Sequence, residues 1–425
     1  MKRLILLLLC LVFVLSVFAA CGGEVTSPDT TDASDAETTE PNVTDQNTTE
    51  PAETKAPDVV EDIPVTENAY IMKMKNGAKG VVTIVHDDGT LNTVAFLDKE
   101  FEEHNLRGTI GMIATRVIST EGVKNNTQIK LWQNYLDTGR FDIACHSYTH
   151  QFWGLTDKAE SGVYINNSGV ETPFNFGDGN ITFETKGARD ALRECFPDQR
   201  ILSFIHPGFG KYIDENGKTI KVSDTAWEII KANFIGSRGG GTSTQSWSTN
   251  SYYQLTSFQV SLKHDLSQWT GQVDAAVKYG KWIIFMFHDI IPDSSVTSST
   301  STLKVKQSTA AGLMEHIGAK VATGELWCAF FEEGLLYAQE VKATKGTVTT
   351  YSDKIEISIS HNLDIDIFNY PLTVRAKVPA DWTSVVLTHA DGTTETLTPF
   401  VEGENTYVYA NVVPNGQVAV LTSAN

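Results

Sequence analysis

Residues 81–90, with the sequence VVTIVHDDGT, join a run of apolar, mostly β-branched residues to a polar turn. A continuous run of this kind is typical of a strand that is buried on both faces, as in a parallel sheet. Amphipathic helical patterns separate it from comparable runs at residues 109–113, 141–144, 201–205 and 282–287. Alternating strands and helices predict a parallel α/β sheet or barrel, which we place at residues 67–342.

The composition of the chain excludes several classes of protein. Of its 425 residues 41% are hydrophobic, which is enough for a packed core and excludes a disordered, collagenous or coiled-coil chain. The formal net charge is −19 with no basic stripe, which argues against binding nucleic acid or docking on anionic lipid. Cys145, Cys195 and Cys328 are odd in number and lack metal-type spacing, so we predict that they are small buried residues.

The N-terminus has the features of a bacterial export signal. Two basic residues precede an apolar run at residues 4–20, and the sequence FAAC at residues 18–21 resembles a lipobox. We therefore predict a lipoprotein signal peptide at residues 1–21 and lipidation of Cys21; an uncleaved anchor helix is the alternative. In both cases the rest of the chain lies outside the cytoplasmic membrane, at the cell surface. Residues 22–66 are acidic and rich in Thr, which predicts a disordered linker.

Histidines and aspartates follow the predicted strands, at the points where those strands end. His86, His146, His206 and His288 all occupy such positions. Because the carboxyl ends of parallel strands meet at one face, we expect these side chains to converge there. His146 and His150 are spaced so that both rings can reach one ion, and an Asp would complete a set of two imidazoles and one carboxylate. Ordinary surface or capping histidines, and turn aspartates, are the alternatives.

Four motifs together resemble the NodB-homology polysaccharide deacetylases, which form carbohydrate esterase family 4. They are HDDG at residues 86–89, HSYTH at residues 146–150, FIHPGFG at residues 204–210 and IIFMFH at residues 283–288. The resemblance implies a distorted (β/α) barrel of NodB type. It also implies a hydrolase that removes acetyl groups from N- or O-acetylated polysaccharide, with peptidoglycan, another aminoglycan or acetylated xylan as substrate.

The same resemblance implies a role for each motif residue. Asp88, His146 and His150 would bind a divalent metal, with Zn²⁺ expected and Co²⁺ or Ni²⁺ as alternatives. Asp87 would be the general base that activates water, and His288 would be the general acid that protonates the leaving group. A glycan-binding lipoprotein without catalytic activity is the alternative, although a pure binder would not need Asp87 beside the ligands.

The third motif would supply the substrate-binding and oxyanion residues. These are Pro207, Gly208 and Phe209, with a backbone N–H near Phe209 facing the oxyanion. His206 stands where many relatives have the Arg that orients the base. Arg238 is the other candidate for that positive charge, and the alternative for Arg238 is a surface position on a glycine-rich loop.

Two further residues are weaker candidates for the site. Asp265 could orient His288, and Trp269 could line a sugar pocket, although core packing explains Trp269 at least as well. The Asn- and Gly-rich residues 151–184 predict a long loop that shapes a glycan groove.

The C-terminal residues 343–425 change to a period-two pattern with turn signals between the runs. This pattern predicts a small all-β sandwich. The module could bind carbohydrate through Trp382, Tyr407 or Tyr409, or it could pack against the barrel. We expect a monomer whose partner is an acetylated polysaccharide and whose contact with the membrane is made by the lipid anchor.

Overall fold

The computed structural model describes residues 62–150, 161–166, 171–175, 181–208, 210–214, 219–220, 224–240, 243–247, 249 and 251–424. The predicted signal peptide, the lipidation site Cys21, most of the predicted linker, and Phe209 lie outside the described residues. Among the described helices, none has the length and apolar character needed to cross a bilayer.

Short strands and helices alternate along the described chain up to residue 343. The strands are β1 (Ile63–Thr66), β2 (Ala69–Ile71), β3 (Gly80–His86), β4 (Gly108–Met112), β5 (Phe141–Cys145), β6 (Ser161–Asn166), β7 (Glu171–Asn175), β8 (Ser203–Ile205), β9 (Gly210–Asp214), β10 (Thr219–Ile220), β11 (Gly236–Arg238), β12 (Gln245–Ser246), β13 (Phe258–Gln259), β14 (Lys281–Phe287), β15 (Ile290–Ile291), β16 (Val305–Lys306) and β17 (Leu326–Cys328). The helices are α1 (Leu91–His104), α2 (Asn126–Leu136), α3 (Ala188–Cys195), α4 (Asp224–Asn233), α5 (Leu266–Tyr279), α6 (Gln307–Ala322) and α7 (Phe331–Ala343).

A parallel sheet with the strand order β11-β8-β5-β4-β3-β14 forms the centre of this region. β17 pairs in parallel with the first residues of β3, β13 pairs in parallel with β14, and β12 adds an antiparallel edge. The sheet curls into a half-barrel. The predicted α/β class with a parallel sheet is therefore confirmed, together with extra all-β strands at the C-terminus.

Both faces of the curled sheet are covered. One face packs against α1 to α6 through fully buried side chains such as Phe101, Trp132 and Leu313. The other face packs against α7 and the C-terminal strands. Trp282 of β14 and Leu335 of α7 share one core there with side chains of the C-terminal strands. Cys145, Cys195 and Cys328 are buried and unpaired, as predicted.

Two five-stranded antiparallel sheets form the C-terminal part. Its strands are β18 (Lys345–Thr350), β19 (Lys354–Ser360), β20 (Leu372–Val378), β21 (Val385–Thr388), β22 (Thr394–Leu397), β23 (Phe400–Glu402), β24 (Asn405–Val412) and β25 (Asn415–Ser423). The sheet orders are β1-β2-β20-β24-β23 and β18-β19-β25-β21-β22. Ile357 of β19 and Val374 of β20 are fully buried in one shared core, so the two sheets make a sandwich.

Two sequence predictions are wrong in detail. Residues 63–66 were expected to belong to the disordered linker, but they form β1, which reaches the C-terminal sheet through β2 and its pairing with β20. Residues 151–184 were expected to form one long loop, but β6 and β7 pair there, and β6 also pairs with β9. The partner of β1 lies outside the predicted linker, and β9, the second partner of β6, lies outside residues 151–184, whereas β6 and β7 pair with each other inside that segment.

Candidate metal and catalytic site

The motif residues gather at the carboxyl ends of the parallel strands. β3 and β14 run side by side in register, with His86 opposite Phe287, so Asp87, Asp88 and His288 follow neighbouring strands. Arg238 at the end of β11 lies opposite Ile205 at the end of β8. The predicted convergence therefore takes place at one edge of the sheet.

Asp88, His146 and His150 form a set of possible metal ligands. Their ligand atoms all lie within 4.8 Å of one another. Oδ1 of Asp88 is 3.3 Å from Nε2 of His146 and 3.2 Å from Nε2 of His150. Nε2 of His146 and Oδ1 of Asp88 are buried, and neither has a hydrogen-bond partner among the described residues. Two imidazoles and one carboxylate with unsatisfied atoms facing one point fit a divalent cation such as Zn²⁺.

The structure orients His146 through its second ring nitrogen. Nδ1 of His146 is 3.0 Å from the backbone oxygen of Ile205. Since a carbonyl oxygen can only accept, Nδ1 carries the proton and Nε2 keeps its lone pair for a metal. The His150 backbone N–H donates to Oγ of Ser147 at 2.9 Å, which closes the turn between the two histidines.

Asp88 has an unusual backbone conformation. Its φ is +71°, in the left-handed region that residues with a Cβ rarely occupy. Arg116 donates from Nε to the Asp88 carbonyl oxygen at 2.9 Å and supports this conformation. Burial acts to raise the pKa of the Asp88 carboxyl group, but the contacts and charges of His146 and His150 outweigh it and hold that pKa well below its usual range. The carboxylate is therefore ionised, as a metal ligand must be.

Asp87 and Arg238 form a buried ion pair beside this set. Nη2 of Arg238 donates to Oδ1 of Asp87, and the two residues are 0% and 2% exposed. Nη1 of Arg238 lies 3.3 Å from the sulfur of Met286. Arg238 is thus a core residue, and the alternative of a surface arginine on a flexible loop is wrong.

His206 does not take the role of the orienting cation. Its Nε2 is 3.1 Å from Oγ of Ser237, and the Ser237 hydroxyl in turn donates to the backbone oxygen of Tyr253. Burial and the nearby charge of Arg238 lower the pKa of His206 to about 3, so the ring is neutral. Of the two candidates for the positive charge beside the base, Arg238 therefore contacts Asp87 directly, whereas the neutral His206 contacts Ser237.

His288 is half-buried at the end of β14 and belongs to the same edge. Its Nδ1 is buried and has no hydrogen-bond partner in the described part of the chain. Asp265, the predicted partner, is exposed and begins α5, where its backbone N–H donates to Oε1 of Gln268 at 2.9 Å. The described residues show no hydrogen bond between Asp265 and His288, and Asp265 instead occupies the N-cap position of α5.

Other predicted candidates divide between core and site. Trp269 is 4% exposed and packs edge-on against Phe258 and Phe285, so it is a core residue and not part of a sugar pocket. Trp382 is also buried and is not available as a carbohydrate platform. Pro207 is buried, and Gly208, with φ of +72°, continues the turn after β8.

Two residues at the site carry no local sequence signal. Gly111 of β4 lies against Asp87, since a Cβ there would be 3.2 Å from Oδ1 of Asp87 and 3.0 Å from Ile205. Glu184 contacts the turn between His146 and His150, although it follows His150 by many residues. Both act through neighbours that are distant in sequence, so no motif or spacing could identify them.

No family model and no curated protein matches this chain by sequence. Solved structures do match it. The CE4 domain of a multidomain xylanase from the Trinervitermes trinervoides hindgut metagenome is 16% identical with a TM-score of 0.33, over 60% of this chain and 89% of that one. A Bacillus cereus polysaccharide deacetylase is 14% identical with a TM-score of 0.32, over 59% and 91%. A Clostridium thermocellum family 4 acetyl xylan esterase, solved with cobalt, is 15% identical with a TM-score of 0.31, over 60% and 91%.

These three proteins are of the kind that the sequence motifs resemble. At such low identities and TM-scores the likeness does not transfer a reaction to this chain, so its function is inferred from its own side chains.

Proposed function

We propose that this protein is a metal-dependent deacetylase that hydrolyses acetyl groups on N- or O-acetylated polysaccharide. One observation supports the proposal above all. Asp88, His146 and His150 face one point, and the buried Asp87–Arg238 pair and His288 lie at the same edge of the sheet. This arrangement combines a metal-ligand set with separate groups that can accept and donate a proton.

Asp88, His146 and His150 would hold the divalent metal. The unsatisfied atoms of Asp88 and His146 support this assignment, since buried polar atoms normally have partners. When bound, such a metal supplies Lewis acidity that makes water a nucleophile at neutral pH and polarises a carbonyl oxygen. Zn²⁺ is the metal that two imidazoles and one carboxylate suit best, and Co²⁺ and Ni²⁺ are the alternatives.

Asp87 is the proposed general base. Its carboxylate accepts the proton of the water whose oxygen adds to the acetyl carbonyl. Arg238 holds that carboxylate in place, while burial excludes bulk water from it. His288 then donates a proton to the leaving nitrogen of an N-acetyl group, or to the leaving oxygen of an O-acetyl group, as the bond to the acetyl carbon breaks. The products are acetate and the free amine or hydroxyl of the glycan.

The proposed location follows from the N-terminus, which lies outside the described residues. The basic residues, the apolar run and the FAAC sequence support export and lipidation at Cys21. The acidic linker would then hold the enzyme away from the bilayer. Cys21→Ala is expected to abolish incorporation of labelled palmitate, and continued labelling of that variant would contradict the proposal.

Acetate release from a panel of acetylated glycans tests the activity. The panel contains peptidoglycan, another N-acetylated aminoglycan and acetylated xylan, and the enzyme is used as isolated, after chelation, and after reloading with Zn²⁺, Co²⁺ or Ni²⁺. We expect release from at least one substrate, its loss on chelation and its return on reloading. Glycan binding without acetate release under every condition would favour a non-catalytic receptor instead.

A further inference from the structure

We propose that Glu184 is a positioning residue of the metal site, which rests on the function proposed above. Its carboxylate holds the turn at residues 146–150 in the conformation that points His146 and His150 at one ion. Glu184 is not one of the ligands, and it acts on them through the backbone between them.

Glu184 is buried, with 5% of its surface exposed, and it makes three hydrogen bonds to this turn. Oε2 accepts the backbone N–H of Tyr148 at 3.0 Å and the backbone N–H of Thr149 at 2.9 Å. Oε1 accepts the Thr149 hydroxyl at 2.6 Å. No salt bridge to Glu184 occurs among the described residues, so these three hydrogen bonds compensate for the burial of its carboxylate.

The turn has no substitute for these acceptors. The His146 N–H is satisfied by the Met112 carbonyl oxygen at 3.0 Å, and the His150 N–H by Oγ of Ser147. The N–H groups of Tyr148 and Thr149 lie between these two and belong to no helix or strand. Without the Glu184 carboxylate both groups would be left without their present acceptor, which is costly for a buried backbone.

The conformation of the turn needs such support. Ser147 and His150 each have φ of +64°, in the left-handed region that is unfavourable for residues with a Cβ. Conformations of this kind persist only where the surroundings determine them by several contacts. Glu184 supplies contacts at the two residues that lie between Ser147 and His150, so it determines the direction in which the His150 ring points.

Glu184 is itself held firmly. It lies in a π-helical stretch, Phe183–Gly187, just before α3, and such stretches are rare and often occur at functional sites. The Phe183 ring stacks on the Tyr148 ring with centroids 4.1 Å apart and planes 20° apart. Phe183 and Glu184 therefore both contact the turn, Phe183 by ring stacking and Glu184 by hydrogen bonds.

The test measures Co²⁺ affinity by visible absorption for wild type and Glu184→Met. Met has nearly the same length but no oxygen that can accept the N–H groups and the hydroxyl that the carboxylate accepts, whereas Gln would keep one carbonyl oxygen for both N–H groups. We expect the Kd for Co²⁺ to rise by about 10–100-fold, the usual effect of losing a group that orients ligands. Amide hydrogen exchange at Tyr148 and Thr149 should become faster, a readout that does not depend on activity.

Glu332→Met is the matched control. Glu332 is also a buried carboxylate that accepts a backbone N–H, from Leu202 at 3.0 Å, but it lies beyond the opposite end of β8. We expect this variant to lose stability without losing Co²⁺ affinity. Thr149→Val removes one of the three hydrogen bonds and should weaken Co²⁺ binding less. It replaces Glu184→Met in the test if that variant does not fold.

The outcomes separate this proposal from the function on which it rests. Equal Co²⁺ affinity and equal amide exchange in folded Glu184→Met and wild type would overturn the positioning role alone. Equal loss of affinity in Glu184→Met and Glu332→Met would also overturn it, because the effect would then be general destabilisation. Absence of Co²⁺ binding by wild type would overturn both proposals.

Discussion

Arg238→Met is expected to destabilise the protein by about 3–5 kcal/mol, because it leaves the Asp87 carboxylate buried without its cation. The size of this effect follows from the burial of the pair. Arg238 is fully buried and Asp87 is 2% exposed, so water cannot replace either partner. The other contact of the guanidinium is the weakly accepting sulfur of Met286, and Nε of Arg238 has no partner among the described residues.

A double-mutant cycle isolates the interaction itself. Asp87→Asn leaves Arg238 as the unpaired charge and should also be strongly destabilising. The double variant Arg238→Met/Asp87→Asn removes both charges, so its loss should be well below the sum of the two single losses. We expect a coupling free energy of about 1–3 kcal/mol, the upper part of the usual range for residues in contact.

Urea unfolding followed by circular dichroism at pH 7 measures these free energies. The Arg238→Met protein should also release acetate more slowly than wild type, because its general base is no longer held in place. A loss of stability below about 1 kcal/mol for Arg238→Met, as for an exposed ion pair, would refute the view that this pair is buried and interdependent. Strict additivity of the two single variants would refute it as well.

Two further predictions concern other parts of the molecule. Burial raises the pKa of Glu340 from 4.5 to about 8, so near neutral pH the folded protein holds a proton that the unfolded chain has released. The free energy of unfolding of wild type should therefore fall by roughly 1.5 kcal/mol between pH 6.5 and pH 8. Urea unfolding at the two pH values measures this fall, and Glu340→Gln should remove it. An equal fall in stability in wild type and Glu340→Gln would contradict the assignment of this proton to Glu340. Gln268→Ala removes the side-chain oxygen that accepts the Asp265 N–H at the start of α5 and should cost about 1 kcal/mol. Asp265→Ala keeps that N–H and should leave acetate release unchanged, and a loss of release in the folded variant would restore Asp265 as a partner of His288.

The parts of the fold that were predicted correctly depend on local patterns. The apolar run at residues 81–85 and the polar residues directly after it need no distant partner to be recognised, and β3 covers that run in the structure. The same holds for His146 and His150, whose spacing within one turn is a local property. The cysteines could also be assigned from their number and spacing alone.

The parts that failed depend on distant contacts. β1 pairs with β2, and β2 pairs with β20 some 300 residues later, so the polar composition of residues 22–66 hid the start of the fold. The choice between His206 and Arg238 required the three-dimensional neighbours of both side chains, since burial makes His206 neutral while Arg238 reaches Asp87. Asp265 was misassigned because capping of α5 and contact with His288 both suit an Asp at that position.

The central claim is that Asp88 binds a metal while its neighbour Asp87 transfers a proton. Co²⁺ binding and acetate release, measured side by side on wild type, Asp88→Asn and Asp87→Asn, test it most directly. Asp88→Asn should lose both Co²⁺ binding and acetate release, whereas Asp87→Asn, if it folds, should keep Co²⁺ binding and lose acetate release. Wild-type Co²⁺ affinity in Asp88→Asn, or wild-type acetate release in Asp87→Asn, would contradict the claim.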